Sequence, residues 1–160
     1  MKIGKRNNIK FLLICIGVFS FLYIHAQQYC TDREQFSSFI TKINLLCDYN
    51  KNIFKYEEGK FIDYYYADSS VVTIFVGAMQ KLPILSSDLG YYPQSIDTLE
   101  NRIIIKGVKN NKCWREDSFN GVRILYDRVT MERQDIYDAI LNSFLIEALD
   151  QRRLCPLLSD

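Results

Sequence analysis

Five cysteines, one histidine and two adjacent acidic pairs, Glu57-Glu58 and Glu116-Asp117, are the residues of this 160-residue chain whose types could carry polar chemistry. Histidine would serve as a general base or metal ligand. Cysteine would serve as a nucleophile, a metal ligand or half of a disulfide. Paired carboxylates would supply the acid and base of a hydrolase.

Their positions decide between these uses. Residues 1–10 contain Lys2, Lys5, Arg6 and Lys10 and no acid, and residues 11–26 carry no fixed charge. A basic start, a short apolar run and a small residue form the pattern of a secretory signal peptide. Cleavage is expected after Ala26, leaving Gln27 as the new terminus. The run of 16 residues is shorter than the roughly 20 that a spanning helix needs. The expected organisation is a cleaved leader over 1–26 and a single globular domain over 27–160. The product would be exported, periplasmic or secreted, from a bacterium, with no membrane insertion once the leader is gone.

The only histidine, His25, and Cys15 depart with that leader. Without histidine the mature chain has no Ser-His-Asp or Cys-His arrangement and no His-containing zinc site. Cys30, Cys47, Cys113 and Cys155 remain. No C-x-x-C pair holds two of them together, which argues against a zinc site and against a thioredoxin-type redox centre. An even number in an exported chain points to disulfides. Residues 31–47 read as one helix, which would hold Cys30 and Cys47 roughly 25 Å apart and exclude that pairing. The preferred pairing is then Cys30–Cys155 with Cys47–Cys113; Cys30–Cys113 with Cys47–Cys155 also survives.

The acidic pairs are poor acid/base candidates. Glu57-Glu58 falls in an expected turn, where carboxylates are solvated. Glu116 and Asp117 are neighbours on an expected strand and so point to opposite faces. No calcium loop and no phosphate-binding glycine loop occurs, so no cofactor and no metal is expected. All four leader charges are basic, which leaves 16 of the 20 Lys and Arg against 19 acids, a net charge of −3 for residues 27–160. A chain with that balance lacks the basic surface that nucleic acid requires.

The elements that would position these residues follow from patterning. Thr31 and Glu34 have the spacing of a capping box, and Phe36, Phe39, Ile40, Ile43 and Leu46 follow at helical spacing. Residues 53–66 read as a hairpin turning at Glu57–Lys60. Residues 71–76 read as a strand apolar on both faces and therefore central. Residues 79–100 read as a long loop with one short helical turn at Ser95–Leu99. Three strands follow, over 102–108, 113–117 and 122–127, joined at Asn110-Asn111 and Asn120-Gly121. An amphipathic helix over 131–150 closes the chain. The predicted fold is α+β: an antiparallel sheet of about five to six strands with an N-terminal and a C-terminal helix on one face.

Four residues stand out as possible partner contacts. Tyr91 and Tyr92 lie in the long loop, where exposed tyrosines make good anchors. Trp114 is the only tryptophan, and Arg115 follows it. Expected function is therefore that of an exported non-enzymatic protein that binds another protein: an inhibitor, an immunity-type protein or an envelope assembly factor. Two alternatives stand beside it: a small-ligand binding module of the periplasm, and a hydrolase built from converging Asp and Glu residues. The oligomeric state is left open.

Overall fold

Alternation, not helical spacing, governs residues 29–46. They form a β-hairpin, β1 (Tyr29–Gln35) and β2 (Phe39–Leu46). The computed structural model describes residues 27–78, 84–119 and 121–149. The expected leader with Cys15 and His25, the turn residue Asn120 and the C-terminal residues with Cys155 lie outside these.

The expected N-terminal helix is overturned for a physical reason. Cys30, Asp32 and Glu34 share one face of β1, and Thr41, Ile43 and Leu45 share one face of β2. That period of two buries Thr41, Ile43 and Leu45, of which only Ile43 belongs to the helical stripe. The β-branched Ile40, Thr41 and Ile43 favour the strand. Phe36 and Phe39, three apart, stack at 4.9 Å across the hairpin turn, where they imitate a helical pair. Thr31 does not cap; its hydroxyl donates across the hairpin to the Asn44 side chain at 2.8 Å.

The hairpin also overturns the expected cysteine pairing. Its strands bring Cys30 and Cys47 together in a disulfide with Cα atoms 5.0 Å apart. Cys113 is a free, buried thiol.

Seven further strands form one antiparallel sheet: β3 (Asn50–Tyr56), β4 (Gly59–Tyr65), β5 (Val71–Gly77), β6 (Pro93–Leu99), β7 (Arg102–Lys109), β8 (Lys112–Phe119) and β9 (Val122–Val129). Their spatial order is β3-β4-β5-β9-β8-β7-β6. The expected hairpin at Glu57-Glu58 forms between β3 and β4. Between β7 and β8 the turn uses Asn110 and Asn111, with φ 51° and 58°, the left-handed conformation that asparagine tolerates. Ser95–Leu99 is a strand, not a helical turn, paired with β7.

The C-terminal helix is shorter than its pattern. A 3-10 turn at Met131–Arg133 leads into α1 (Gln134–Asn142), and the chain then re-enters a sheet as β10 (Leu145–Ala148). Ser143 ends the helix. Its hydroxyl donates to the Ile140 carbonyl at 2.7 Å and accepts the Asn44 backbone N–H at 3.0 Å, clamping the helix end to β2. Pairing of β10 with β2 then outweighs the helical pattern of residues 144–149. The structure is thus mostly β, with sheets of three and seven strands, not a sheet covered by terminal helices.

The small sheet (β1-β2-β10) and α1 cover one face of the large sheet, here called the inner face. Ile43, Leu45, Ile62, Tyr64, Val72, Ile74, Ile124, Tyr137, Ile140 and Leu141 form that core, each essentially inaccessible. Tyr64 and Tyr66 point into it and Tyr65 away, as strand alternation requires. The Tyr64 hydroxyl donates to Asp32 at 2.7 Å, and burial with the Asp32 charge pushes its pKa up. Lys51 reaches Asp32 and Glu34, and Lys60 reaches Glu34. Burial works to raise the Glu34 carboxyl, but the two lysines outweigh it and hold the group below the usual carboxylate range.

Candidate functional site

Residues 84–91, between β5 and β6, lie across the outer face of the large sheet as a strap. It is bound at both ends. The Glu116 carboxylate accepts the Ile84 N–H at 2.9 Å and the Leu85 N–H at 3.1 Å, one on each oxygen. Tyr91 donates its hydroxyl to Asp127 at 2.8 Å. Burial and that acceptor raise the Tyr91 pKa to about 12. Lys109 donates to the Leu89 carbonyl and lies 3.8 Å from the centre of the Tyr91 ring.

Beneath the strap lies a second apolar cluster, Leu85, Tyr91, Ile105, Trp114 and Leu125. Tyr91 meets Trp114 edge-on at 5.7 Å. Trp114 itself lies on Gly107, where a Cβ would come within 2.6 Å of the indole ring. The strap is held by a buried carboxyl group, since Glu116 is fully buried. Burial raises the Glu116 pKa, against the two N–H groups and Arg123, which favour the charged form.

Those contacts make the strap testable with the single tryptophan. Glu116→Ala leaves two backbone donors without an acceptor, at a cost of about 1–3 kcal/mol. Trp114 emission is expected to shift to the red, with increased quenching by acrylamide. An unchanged spectrum would show that Glu116 does not hold the strap.

On the inner face of the same strands lies a charged strip. Arg115 donates to both oxygens of Asp117 at 2.7 Å, to Asp138 at 3.0 Å and to Asn142 at 2.8 Å. Lys106 and the Tyr126 hydroxyl also bond Asp138, and Arg102 pairs with Asp117. Burial works to raise Asp138, but the bonds and charges of Lys106 and Arg115 hold it below the usual carboxylate range. Two carboxylates do converge here, yet both are bound to one guanidinium. A general acid needs the opposite shift.

The four proposed partner contacts do not form one surface. Trp114 and Arg115 are buried on opposite faces of β8, and Tyr91, at the end of the strap, is buried against Trp114. Tyr92 alone is exposed, at 66%, immediately before β6. Glu57 and Glu58 are exposed in their turn, and Glu116 and Asp117 do point to opposite faces.

What the sequence reading missed is the β6 edge. Four strands end the two sheets. β1 carries Asp32, Arg33 and Glu34, and β10 has four residues. β3 carries Lys51 and Lys55. Charge and shortness are the usual guards of a sheet edge. β6 is longer than β10 and less charged than β1 and β3: its seven residues, PQSIDTL, are all exposed, with one charge, Asp97, and with Pro93 and a register irregularity between Pro93 and Ser95 confined to its start. Ile96 is 64% exposed on the outer face and Leu99 63% on the inner. The alternation of Ile96 and Thr98 with polar neighbours was the available signal.

Elsewhere, a cleft of about 300 Å³ is lined by Gln27, Gln28, Leu46, Cys47, Asp48 and Arg133. Among the described residues no group of three potential metal ligands occurs, and no helix is long and apolar enough to cross a membrane. Compared with protein-family models, with curated proteins and with solved structures, the chain matches none.

Proposed function

We propose that this protein is exported and binds another protein by receiving an extended segment along β6, beside Tyr92. The observation that carries this reading is the exposed β6 edge from Ser95 to Leu99, whose outward N–H and C=O groups are a template for strand addition. Tyr92 supplies an exposed aromatic side chain at the start of that edge. The disulfide fits an oxidising compartment. Inhibitor, immunity-type and assembly roles all use such an edge.

A tagged full chain, expressed with its leader, tests this. Capture from periplasmic extract is expected to recover one stoichiometric partner and to lose it with Ile96→Lys or Thr98→Pro. Absence of a partner, or a partner retained by both variants, would sink the reading. N-terminal sequencing of the same sample is expected to begin at Gln27.

A small-ligand reading is favoured by the cleft at Gln27, Asp48 and Arg133 alone. Its volume lies at the lower end of ligand pockets.

A further inference from the structure

We infer that a second copy of this chain pairs with β6, antiparallel about a twofold axis at Ile96, so that the free protein is a dimer whose partner-binding edges cover each other. This rests on the reading of β6 as the binding edge and adds a regulation to it: the partner must displace the second copy.

Geometry narrows the register. Two antiparallel edges that join into one continuous sheet are related by an axis perpendicular to that sheet, which keeps each face continuous. Directly opposed residues must then share a face. On β6 the outer face carries Ile96 and Thr98, and the inner face carries Ser95, Asp97 and Leu99, while the register shifts between Pro93 and Ser95, so the pairing considered runs from Ser95 onward. Only axes through a residue satisfy this, and the side chains distinguish them. An axis at Asp97 opposes two carboxylates, which is destabilising. An axis at Thr98 sets Asp97 against Leu99. An axis at Ser95 sets Ile96 and Asp97 against the irregular start of the strand.

An axis at Ile96 gives complementary neighbours. Asp97 meets Ser95 of the second copy, a hydroxyl donor to its carboxylate. Ser95 is itself opposite Lys106 within each subunit, so each Asp97 joins a row that ends in an ammonium group. On the outer face Ile96 meets Ile96, and Ile105 lies opposite Ile96 in each subunit. The result is an unbroken row of four isoleucines across the joined sheets. Branched cross-strand pairs of this kind are the unit of sheet stabilisation. The pairing also closes on itself, which turns an aggregation-prone edge into a finite assembly.

Sedimentation of the purified, leader-processed chain tests the inference. The wild type is expected to be a dimer, and Ile96→Lys is expected to weaken it by about 100-fold or more by placing like charges across the axis. Position 96 is exposed, so circular dichroism and Trp114 emission should be unchanged in that variant. Register is read separately in a Cys155→Ser background. Ile96→Cys is expected to form an intersubunit disulfide on oxidation, because directly opposed strand residues lie within disulfide range, and Thr98→Cys is not. A monomeric wild type, a dimer indifferent to Ile96→Lys, or cross-linking at position 98 in place of 96 would each overturn the inference. A monomer that still loses its partner with Ile96→Lys sinks the dimer and leaves partner binding standing. A dimer that captures no partner does the reverse.

Discussion

Replacing Arg115 with methionine is expected to lower the unfolding free energy by about 3–5 kcal/mol, among the largest effects available to a single substitution here. The guanidinium is the one group that joins Asp117, Asp138 and Asn142. Asp117 is fully buried, and without Arg115 its remaining cationic partner among the described residues is Arg102, at 3.2 Å. A buried carboxylate stripped of its main partner retains the desolvation cost and loses most of the compensating attraction. Arg115→Lys is expected to recover only part of the loss, because an ammonium cannot engage both Asp117 oxygens and Asp138 together. The double variant Arg115→Met with Asp117→Leu is expected to be more stable than Arg115→Met alone, since it removes the stranded charge. Urea unfolding followed at Trp114 measures all three. A loss below about 1 kcal/mol for Arg115→Met would mean that the strip is solvated and the burial assigned to it is wrong.

Removing the Cys30–Cys47 disulfide, as Cys30→Ala with Cys47→Ala, is expected to cost about 3 kcal/mol. The bond spans 17 residues, and closing a loop of that size restricts the unfolded chain by about this amount. Loss should concentrate in β1, an edge strand whose backbone pairs only with β2. Hydrogen exchange is expected to accelerate across Tyr29–Gln35 and to change little in β8 and β9, which pair on both sides. Non-reducing peptide mapping should join the Cys30 and Cys47 peptides and leave Cys113 open to alkylation only after unfolding. A peptide joining Cys113 to Cys47 would contradict the hairpin itself. Unchanged stability in the double variant would show that β1 is held by its lysine and tyrosine contacts without the covalent link.

Legibility of the fold varied with the range of the contacts that decide each element. Strands 71–76, 102–108, 113–117 and 122–127 were readable because alternation, asparagine turns and branched residues act within a few positions. So was the turn at Glu57-Glu58. The hairpin at 29–46 was not, because Phe36, Phe39, Ile40, Ile43 and Leu46 satisfy both a period of 3.6 and a tight turn between two strands. The sheet partner that settles the matter, β10, lies about a hundred residues away in sequence. The same distant pairing shortened the final helix. An error in one element then spread, since the disulfide preference depended on that helix.

Exposure was legible at one of the four residues read as partner contacts, Tyr92 in the long loop. Tyr91, Trp114 and Arg115 carry the same kind of local signal, but burial is set by which strand lies beside which. Asp138 pairs with Arg115 of β8, a contact that the pattern of its own helix does not contain. The β6 edge could not be recognised before the strand order was known, because an edge is a property of the sheet.

Residue types alone determined the strands of the central meander, for which short-range stereochemistry suffices. They also set an expectation: an export signal and, behind it, a mildly acidic domain with four cysteines and no histidine. Tertiary structure alone decided that the expected first helix is a hairpin, that Cys30 joins Cys47, that Glu116 ties down a strap over the only tryptophan, and that β6 is an edge strand. Each of those rests on pairing between distant segments, where the free energy of packing and strand addition overrides what either segment prefers by itself.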